Sequence, residues 1–230
     1  MHLFHHPLSA PSRFVRLVLG EYQVEFELAV EHVWQRRPEF LAVNPANTVP
    51  VLIAEAGVAV VGAAPASEFL DETRGVMMRQ HRLMPDYPLE RAEVRRLIDW
   101  FTGRLDADAC RPLVNERVIK IEREAAGGGG GAPDSTAMRM ARNNARQHLK
   151  YLNWLAGTRN WLAGPSPSLA DLSAGASLSV LDYLGEVPWA DLPQAKEWYA
   201  RVKSRPAFRP LLADRIRGVA PASHYADLDF

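Results

Sequence analysis

The pattern of apolar residues changes partway along the chain, and this change sets the fold class. Over residues 1–75, short apolar runs with the two-residue period of strands alternate with segments of helical spacing. Residues 76–88 lack a clear period and include Pro85 and Pro88, which is typical of a linker. Long amphipathic segments then follow one another up to residue 217. The sequence predicts an α/β domain, a linker, an all-helical domain, and a tail of residues 218–230.

The predicted elements are short in the first domain and longer in the second. Alternation over residues 24–30 predicts a half-buried strand whose apolar side chains face the core. The other predicted strands are residues 3–6, 49–53 and 58–61, and the predicted helices of this domain are residues 12–21 and 65–73. The second domain has predicted helices at residues 89–105, 112–125, 138–156, 168–184 and 189–203.

Composition and charge exclude several classes of function. Twenty-seven basic and 27 acidic residues leave no net field to attract nucleic acid or an anionic membrane. The single cysteine, Cys110, rules out a disulfide framework and suits a reducing compartment. No apolar run approaches the roughly 18 residues of a membrane span, and no signal-peptide pattern opens the chain. We expect a cytoplasmic protein that binds neither nucleic acid nor membrane.

The histidines predict no metal site. His5 and His6 are adjacent in a strand and point to opposite faces, and no other pair has the spacing of common ligand motifs. The glycine run at residues 127–131 lacks the Lys-Ser/Thr of a phosphate-binding loop and predicts a flexible connection.

A run of basic residues recurs on the predicted helix 138–156 at spacings of three and four: Arg139, Arg142, Arg146 and Lys150. Such a stripe is either a solvated helix face or a docking surface. The balanced net charge favours the solvated face.

Three local patterns occur in order along almost the whole chain. They are SAPSRFVRLVL at residues 9–19, NPANTVPVL at residues 44–52, and WLAG followed by SLAD at residues 161–171. Together they resemble the cytosolic glutathione transferase superfamily. The resemblance implies an N-terminal thioredoxin-like domain, a C-terminal helical bundle and a homodimer. Ser168 and Asp171 also have the spacing of a helix capping box, which we interpret as structural.

The resemblance assigns ligand roles to several residues. Val49–Pro50 matches the family's cis-proline turn, which exposes backbone groups to a peptide ligand, and Asn47 replaces a glycine common there. Ser9 and Ser12 lie near a helix N-terminus, which favours an anion. Ser9 is then the candidate that stabilises a glutathione thiolate; simple capping of the helix is the alternative.

One departure from the family pattern puts the ligand site in doubt. Active members carry an acidic residue or Gln, then Ser, just before the third helix, where they hold the γ-glutamyl end of glutathione. Here Gly62 and Ala63 occupy those positions and offer no hydroxyl or carboxylate. Charge-assisted hydrogen bonds are worth about 1.5–3 kcal/mol each, so their loss predicts poor glutathione binding. We therefore expect no cofactor.

Further residues resemble a bacterial branch of this superfamily whose members are dimeric cell-division factors that bundle or curve filaments of the tubulin-like protein FtsZ through the C-terminal tail. The matching segments are HHPLS at residues 5–9, SRFVR at residues 12–16, WQRRPEFL at residues 34–41 and the last six residues. The resemblance implies a non-enzymatic FtsZ-binding dimer. The alternatives are an active glutathione transferase that uses Ser9, and a structural homologue with another protein partner.

The end of the tail combines aromatic, apolar and acidic groups. Aromatic side chains concentrate at binding hot spots, and three negative charges lie within the last four residues. We predict that this end docks on the protein partner through Tyr225, Asp227, Leu228, Asp229 and Phe230. An idle disordered end and a strap packed on the chain's own domain are the alternatives.

Overall fold

A four-stranded mixed sheet forms the first part of the computed structural model, which describes residues 1–228. The strand order is β2-β1-β3-β4, with β1 parallel to β2 and the other pairs antiparallel. The strands are β1 (His2–His5), β2 (Glu27–Val30), β3 (Val51–Ile53) and β4 (Ala59–Val61). With its helices, this sheet gives the predicted thioredoxin-like architecture.

Helices α1 (Ala10–Glu21), α2 (Pro38–Val43) and α3 (Ala63–Thr73) complete this part. The apolar stripe of α1 is fully buried, as its spacing predicts. The prediction for β2 is wrong in two respects. The strand covers only Glu27–Val30, and Leu28 and Val30 are exposed because β2 is an edge strand with little covering that face.

The second part is helical. Helix α4 (Pro88–Ile98) continues through π-helical geometry at Asp99–Cys110, α5 (Arg111–Val114), a second π-helical stretch at Asn115–Ile119, and α6 (Lys120–Ala125). The predicted break before Pro112 is absent. Only Arg111 separates Pro112 from a π-helical stretch that ends at Cys110, where the hydrogen-bond pattern already shifts, so its missing N–H does not end the helix.

Helices α7 (Ser135–Thr158), α8 (Leu169–Tyr183), α9 (Pro193–Lys203) and α10 (Arg209–Leu212) complete the bundle. Helix α8 is buried along its whole length and packs against α1, which joins the two parts. The capping box predicted at its start is present. Among the described residues, no helix has both the length and the apolar character that a membrane crossing requires.

The glycine run folds back onto α6. The amide of Gly130 donates to the carboxylate of Glu124 at 2.9 Å, and the Lys120 ammonium donates to the carbonyl of Ala132 at 3.0 Å. A Cβ at position 130 would overlap the backbone of Lys120. At this position glycine is therefore required by close packing, in addition to any freedom it gives the loop.

Candidate functional site: the cleft and the tail

A cleft of about 900 Å³ separates the loops at the edge of the sheet from the long helix of the second part. A neighbouring cavity of about 670 Å³ continues it toward the start of α3. Both are lined by Pro11, Val49, Thr102 and Gly103. The fold thus brings most of the predicted ligand-site residues to one continuous depression: Ser9, Val49, Pro50, Gly62 and Ala63.

Ser9 caps helix α1 and also lines the cleft. Its hydroxyl oxygen accepts a hydrogen bond from the amide of Ser12 at 3.3 Å. Because a hydroxyl can accept and donate together, this cap leaves the Ser9 proton available for donation into the cleft. The side chain of Ser12 is fully buried and lines neither cavity. Of the two serines, only Ser9 has its side chain in the candidate site.

The turn before β3 has the predicted geometry. The peptide bond between Val49 and Pro50 is cis, and Asn47 adopts a positive φ of 54°. The side-chain amide of Asn47 donates to the carbonyl of Val33 at 2.8 Å, which ties the turn to the neighbouring loop. Val49 therefore lies where both cavities meet, as a peptide-binding turn requires.

The wall at the start of α3 is built without polar side chains. Gly62 stands at the N-cap with a φ of 93° and no side-chain cap, and Ala63, Ala64 and Pro65 follow it in the cavity lining. The closest polar residues along this helix have partners of their own. The Ser67 hydroxyl donates to the carbonyl of Ala64 at 2.9 Å, a contact within the helix.

Glu68, the next residue in this wall, is held by the helical part of the chain. Its carboxylate accepts two hydrogen bonds from Arg95, at 2.7 and 3.0 Å. The acid that follows the predicted clamp positions on α3 and lines the same cavity is therefore already paired with a guanidinium.

The helical wall of the cleft contains a buried acid. Asp106 lies in the π-helical stretch Asp99–Cys110, and burial raises its pKa to about 6, although Arg111 at 3.7 Å opposes that shift. Basic residues also line this cleft: Arg36, Arg111, Lys120 and Arg123. Sequence reasoning did not select Asp106; the apolar positions around it on a predicted helix were the available signal.

The tail is anchored in the core by Tyr225. Its side chain is fully buried, accepts a hydrogen bond from Arg13 at 2.9 Å and donates one to the carbonyl of Leu211 at 3.0 Å. The prediction that Tyr225 docks on a partner is therefore wrong, because its ring fills a space inside the chain's own fold. Asp227 and Leu228 are exposed. The predicted contacts of Asp229 and Phe230 lie outside the described residues.

Arg13 links this anchor to the loop beside the cleft. Its guanidinium donates to the carbonyl of Pro7 at 2.6 Å and to the hydroxyl of Ser179 at 2.8 Å, and it pairs with Asp214 at 3.3 Å. Neighbouring Arg16 binds both oxygens of Asp214, at 2.7 and 2.9 Å. Two guanidiniums on α1 thus hold the segment that leads into the tail.

In the predicted basic stripe on α7, Arg142 is paired with an acidic residue of the same domain. Arg142 makes two hydrogen bonds of 2.8 Å to Glu186, which also pairs with Arg117.

Cys110 is buried, and burial raises the pKa of its thiol well above its usual value. A protonated, enclosed thiol is a poor nucleophile.

Family models match both parts of the chain. Residues 3–76 match the model of the glutathione S-transferase N-terminal domain, and residues 131–206 match the model of the C-terminal domain. Among curated proteins, the chain is 43% identical to FtsZ-localized protein A of Caulobacter vibrioides, over 99% of this chain and 97% of that protein.

Solved structures agree in fold. A glutathione S-transferase from Sinorhizobium meliloti is 56% identical and superimposes with a TM-score of 0.96, covering 100% of this chain and 99% of that one. FzlA from C. crescentus is 43% identical with a TM-score of 0.89, at the same coverage.

Proposed function

We propose that this chain, which belongs to the glutathione S-transferase superfamily, acts as a cell-division factor that binds FtsZ as a homodimer rather than as a glutathione transferase. The observation that carries the proposal is its 43% identity, over nearly the full length of both proteins, to one that is named for its localisation with FtsZ. The cavity wall at Gly62 and Ala63 supports the proposal. The chain keeps the fold, but these two residues have no side chain that could bind the γ-glutamyl end of glutathione.

The energetic argument concerns the charged end of glutathione. A γ-glutamyl group carries an ammonium and a carboxylate, and leaving either without a partner in a cavity costs the desolvation energy of that group. Gly62 and Ala63 supply no side-chain ligand, and Glu68 is already paired with Arg95. Gly62 also has a backbone conformation that other residues rarely adopt, so a single substitution there does not restore the clamp.

The tail supplies the proposed contact with FtsZ. Tyr225 fixes its base, and beyond this residue Asp227 and Leu228 face solvent. A partner surface with basic groups and apolar pockets suits the alternation of acidic and apolar residues in the last four positions. In this proposal Asp227 and Asp229 meet the basic groups, and Leu228 and Phe230 enter the pockets.

The proposed homodimer has a candidate contact surface near the connection between the two parts. Val76, Met77, Tyr87 and Leu89 are apolar and exposed there, Met77 by 70% and Leu89 by 86%. Exposed apolar side chains of this size are typical of protein–protein contacts when they cluster. Two-fold dimers are also the commonest assemblies of identical chains. In this proposal the protein works in the cytoplasm, without a cofactor and without contacts to nucleic acid or membrane.

A second candidate function is glutathione transfer with Ser9 as the group that stabilises the thiolate. It is favoured by the position of the Ser9 hydroxyl at the start of α1, in the same cleft as the cis-proline turn. In this alternative, backbone amides replace the missing clamp side chains.

Co-sedimentation with FtsZ polymers tests the proposed tail contact. Asp227→Lys and deletion of residues 228–230 should each reduce the amount of chain in the FtsZ pellet, with the melting temperature and the dimer unchanged. Asp191→Lys reverses an exposed acid elsewhere and serves as the control. If both tail variants sediment with FtsZ as well as the wild type does, the tail is not the binding element.

A further inference from the structure

Three side chains that are far apart in the sequence meet where the sheet part contacts helix α6. His6 follows β1, His32 follows β2, and Glu122 lies on α6. One donor atom of each residue lies within 4.8 Å of those of the other two. The Glu122 carboxylate is 3.2 Å from Nε2 of His6 and 3.7 Å from Nδ1 of His32.

The cluster is largely shielded from water. The side chain of His6 is 7% exposed and that of Glu122 is 15% exposed. His32 is more open, but its Nδ1 atom is buried and has no hydrogen-bond partner. A buried imidazole nitrogen that makes no hydrogen bond and lies 3.7 Å from a carboxylate is not explained by the packing of the fold alone.

These donors have the chemistry and spacing of a zinc site. Two histidines and one glutamate bind zinc in enzymes that keep the fourth position for water. Zinc–ligand bonds of about 2.0–2.1 Å at tetrahedral angles place neighbouring donor atoms about 3.3 Å apart. The separations of 3.2 and 3.7 Å from Glu122 to the two histidines bracket that value.

One hydrogen bond opposes metal binding. The amide of Leu8 donates to Nδ1 of His6 at 3.2 Å, which places the proton of the neutral ring on Nε2. Coordination through Nε2 requires the other tautomer and gives up this bond, which leaves the amide of Leu8 without this acceptor. Binding of a structural zinc ion releases several times the free energy of one hydrogen bond, so this tautomer change does not prevent coordination.

We propose that His6, His32 and Glu122 bind a divalent transition metal, with Zn²⁺ as the best match. An ion here would connect the sheet part to the helical part, because two ligands come from the first and one from the second. His6 also lines the cleft, so the ion would lie at its side. This site is independent of the proposed FtsZ contact, which depends on the tail.

Calorimetric titration with ZnCl₂ at pH 7.5 tests the site, using full-length protein that carries no polyhistidine tag and has been freed of metal by a chelator. We expect one ion per chain and a rise in melting temperature with zinc concentration. Co²⁺ titration followed by visible absorption gives a second readout of the ligand field. No saturable binding by the wild type overturns the proposal.

Variants locate the ion. His32→Asn and Glu122→Gln should each weaken zinc binding at least about tenfold. His81→Asn and Glu124→Gln are the matched controls, since His81 is exposed and Glu124 lies on the same helix outside the cluster. Circular dichroism melts without metal confirm that each variant folds. Zinc binding of equal strength in the wild type and in both cluster variants places the ion elsewhere and overturns the assignment.

Discussion

At the scale of single residues, burial of the Asp106 carboxyl lowers the stability of the folded protein at neutral pH. Burial disfavours its ionised form and raises its pKa to about 6, while Arg111 offsets only part of this. At pH values well below the usual pKa of an aspartate, Asp106 is protonated in both the folded and the unfolded chain. It therefore adds no pH dependence to the free energy of unfolding in that range. As the pH rises toward 6 the unfolded chain releases the proton first, and the folded state loses stability relative to it.

Asp106→Asn should therefore stabilise the protein at neutral pH. Each unit of pKa shift corresponds to about 1.4 kcal/mol, so we expect a gain of about 1–3 kcal/mol at pH 7 that shrinks toward zero near pH 4. Urea denaturation at both pH values measures it. Asp86→Asn, at an exposed acid, should show no such pH-dependent gain. A destabilised Asp106→Asn protein at pH 7 would mean that the ionised carboxylate has a partner that outweighs its burial.

Tyr225→Phe isolates the hydroxyl that anchors the tail. The variant keeps the buried ring but loses the bonds to Arg13 and to the Leu211 carbonyl. A hydrogen bond to a charged group is worth about 1.5–3 kcal/mol, so we expect a loss of that size in the free energy of unfolding. Tyr87→Phe, on an exposed tyrosine, should be neutral. Equal stability of the two variants would contradict an anchoring role for the hydroxyl.

At the scale of elements, the start of helix α1 combines capping and a ligand position in one residue. Ser9→Ala removes the hydroxyl that accepts from the Ser12 amide and should cost about 0.5–2 kcal/mol of stability. Ser135→Ala is the control, because Asp134 and not Ser135 caps α7.

The same variant separates the two candidate functions. We expect that glutathione binds poorly to the wild type and that Ser9→Ala changes this little, as measured by calorimetry and by a chloro-dinitrobenzene assay. Micromolar affinity together with activity that Ser9→Ala abolishes would instead establish the transferase.

Elements with a strong local signal could be predicted from sequence, and those set by distant contacts could not. The capping box at Ser168 depends on neighbours in the sequence, the cis-proline turn at Val49–Pro50 is implied by the family resemblance, and both are present. The burial of β2 depends on what covers each face of the sheet, so its alternation alone did not predict that Leu28 and Val30 are exposed, although Val24 and Phe26 before them pack against the core. The prediction of a helix break before Pro112 was wrong because π-helical geometry has no clear signature in residue spacing.

At the scale of the molecule, some site residues could be predicted from the sequence and others only from the assembled fold. Ser9 and Val49 belong to family patterns, Gly62 stands at a position where the chain departs from one, and all three line the depression. The cluster of His6, His32 and Glu122 has no pattern in sequence, since its members lie in three separate segments that only the assembled fold brings together. Tyr225 was assigned to a partner because its type suits an interface. A buried position 212 residues away, at Arg13, decides its role.

The dimer is tested on the exposed apolar side chains between the two parts. Leu89→Asp places a charge on the proposed contact surface and should convert the dimer into a folded monomer, measured by light scattering at micromolar concentration. Met140→Asp changes an equally apolar, exposed residue on α7 and should leave the dimer intact. A wild-type protein that is already monomeric would contradict the proposed homodimer.

In the proposed function, the glutathione transferase fold of this chain serves FtsZ and not glutathione. This proposal is tested most directly by measuring how much full-length chain sediments with FtsZ polymers as its concentration rises, with and without millimolar glutathione. We predict saturable sedimentation that glutathione does not change, because the proposed FtsZ contact is on the tail and Gly62 and Ala63 offer no side chain to a γ-glutamyl group. A chain that stays in the supernatant, or that glutathione displaces from the polymers, would contradict the account.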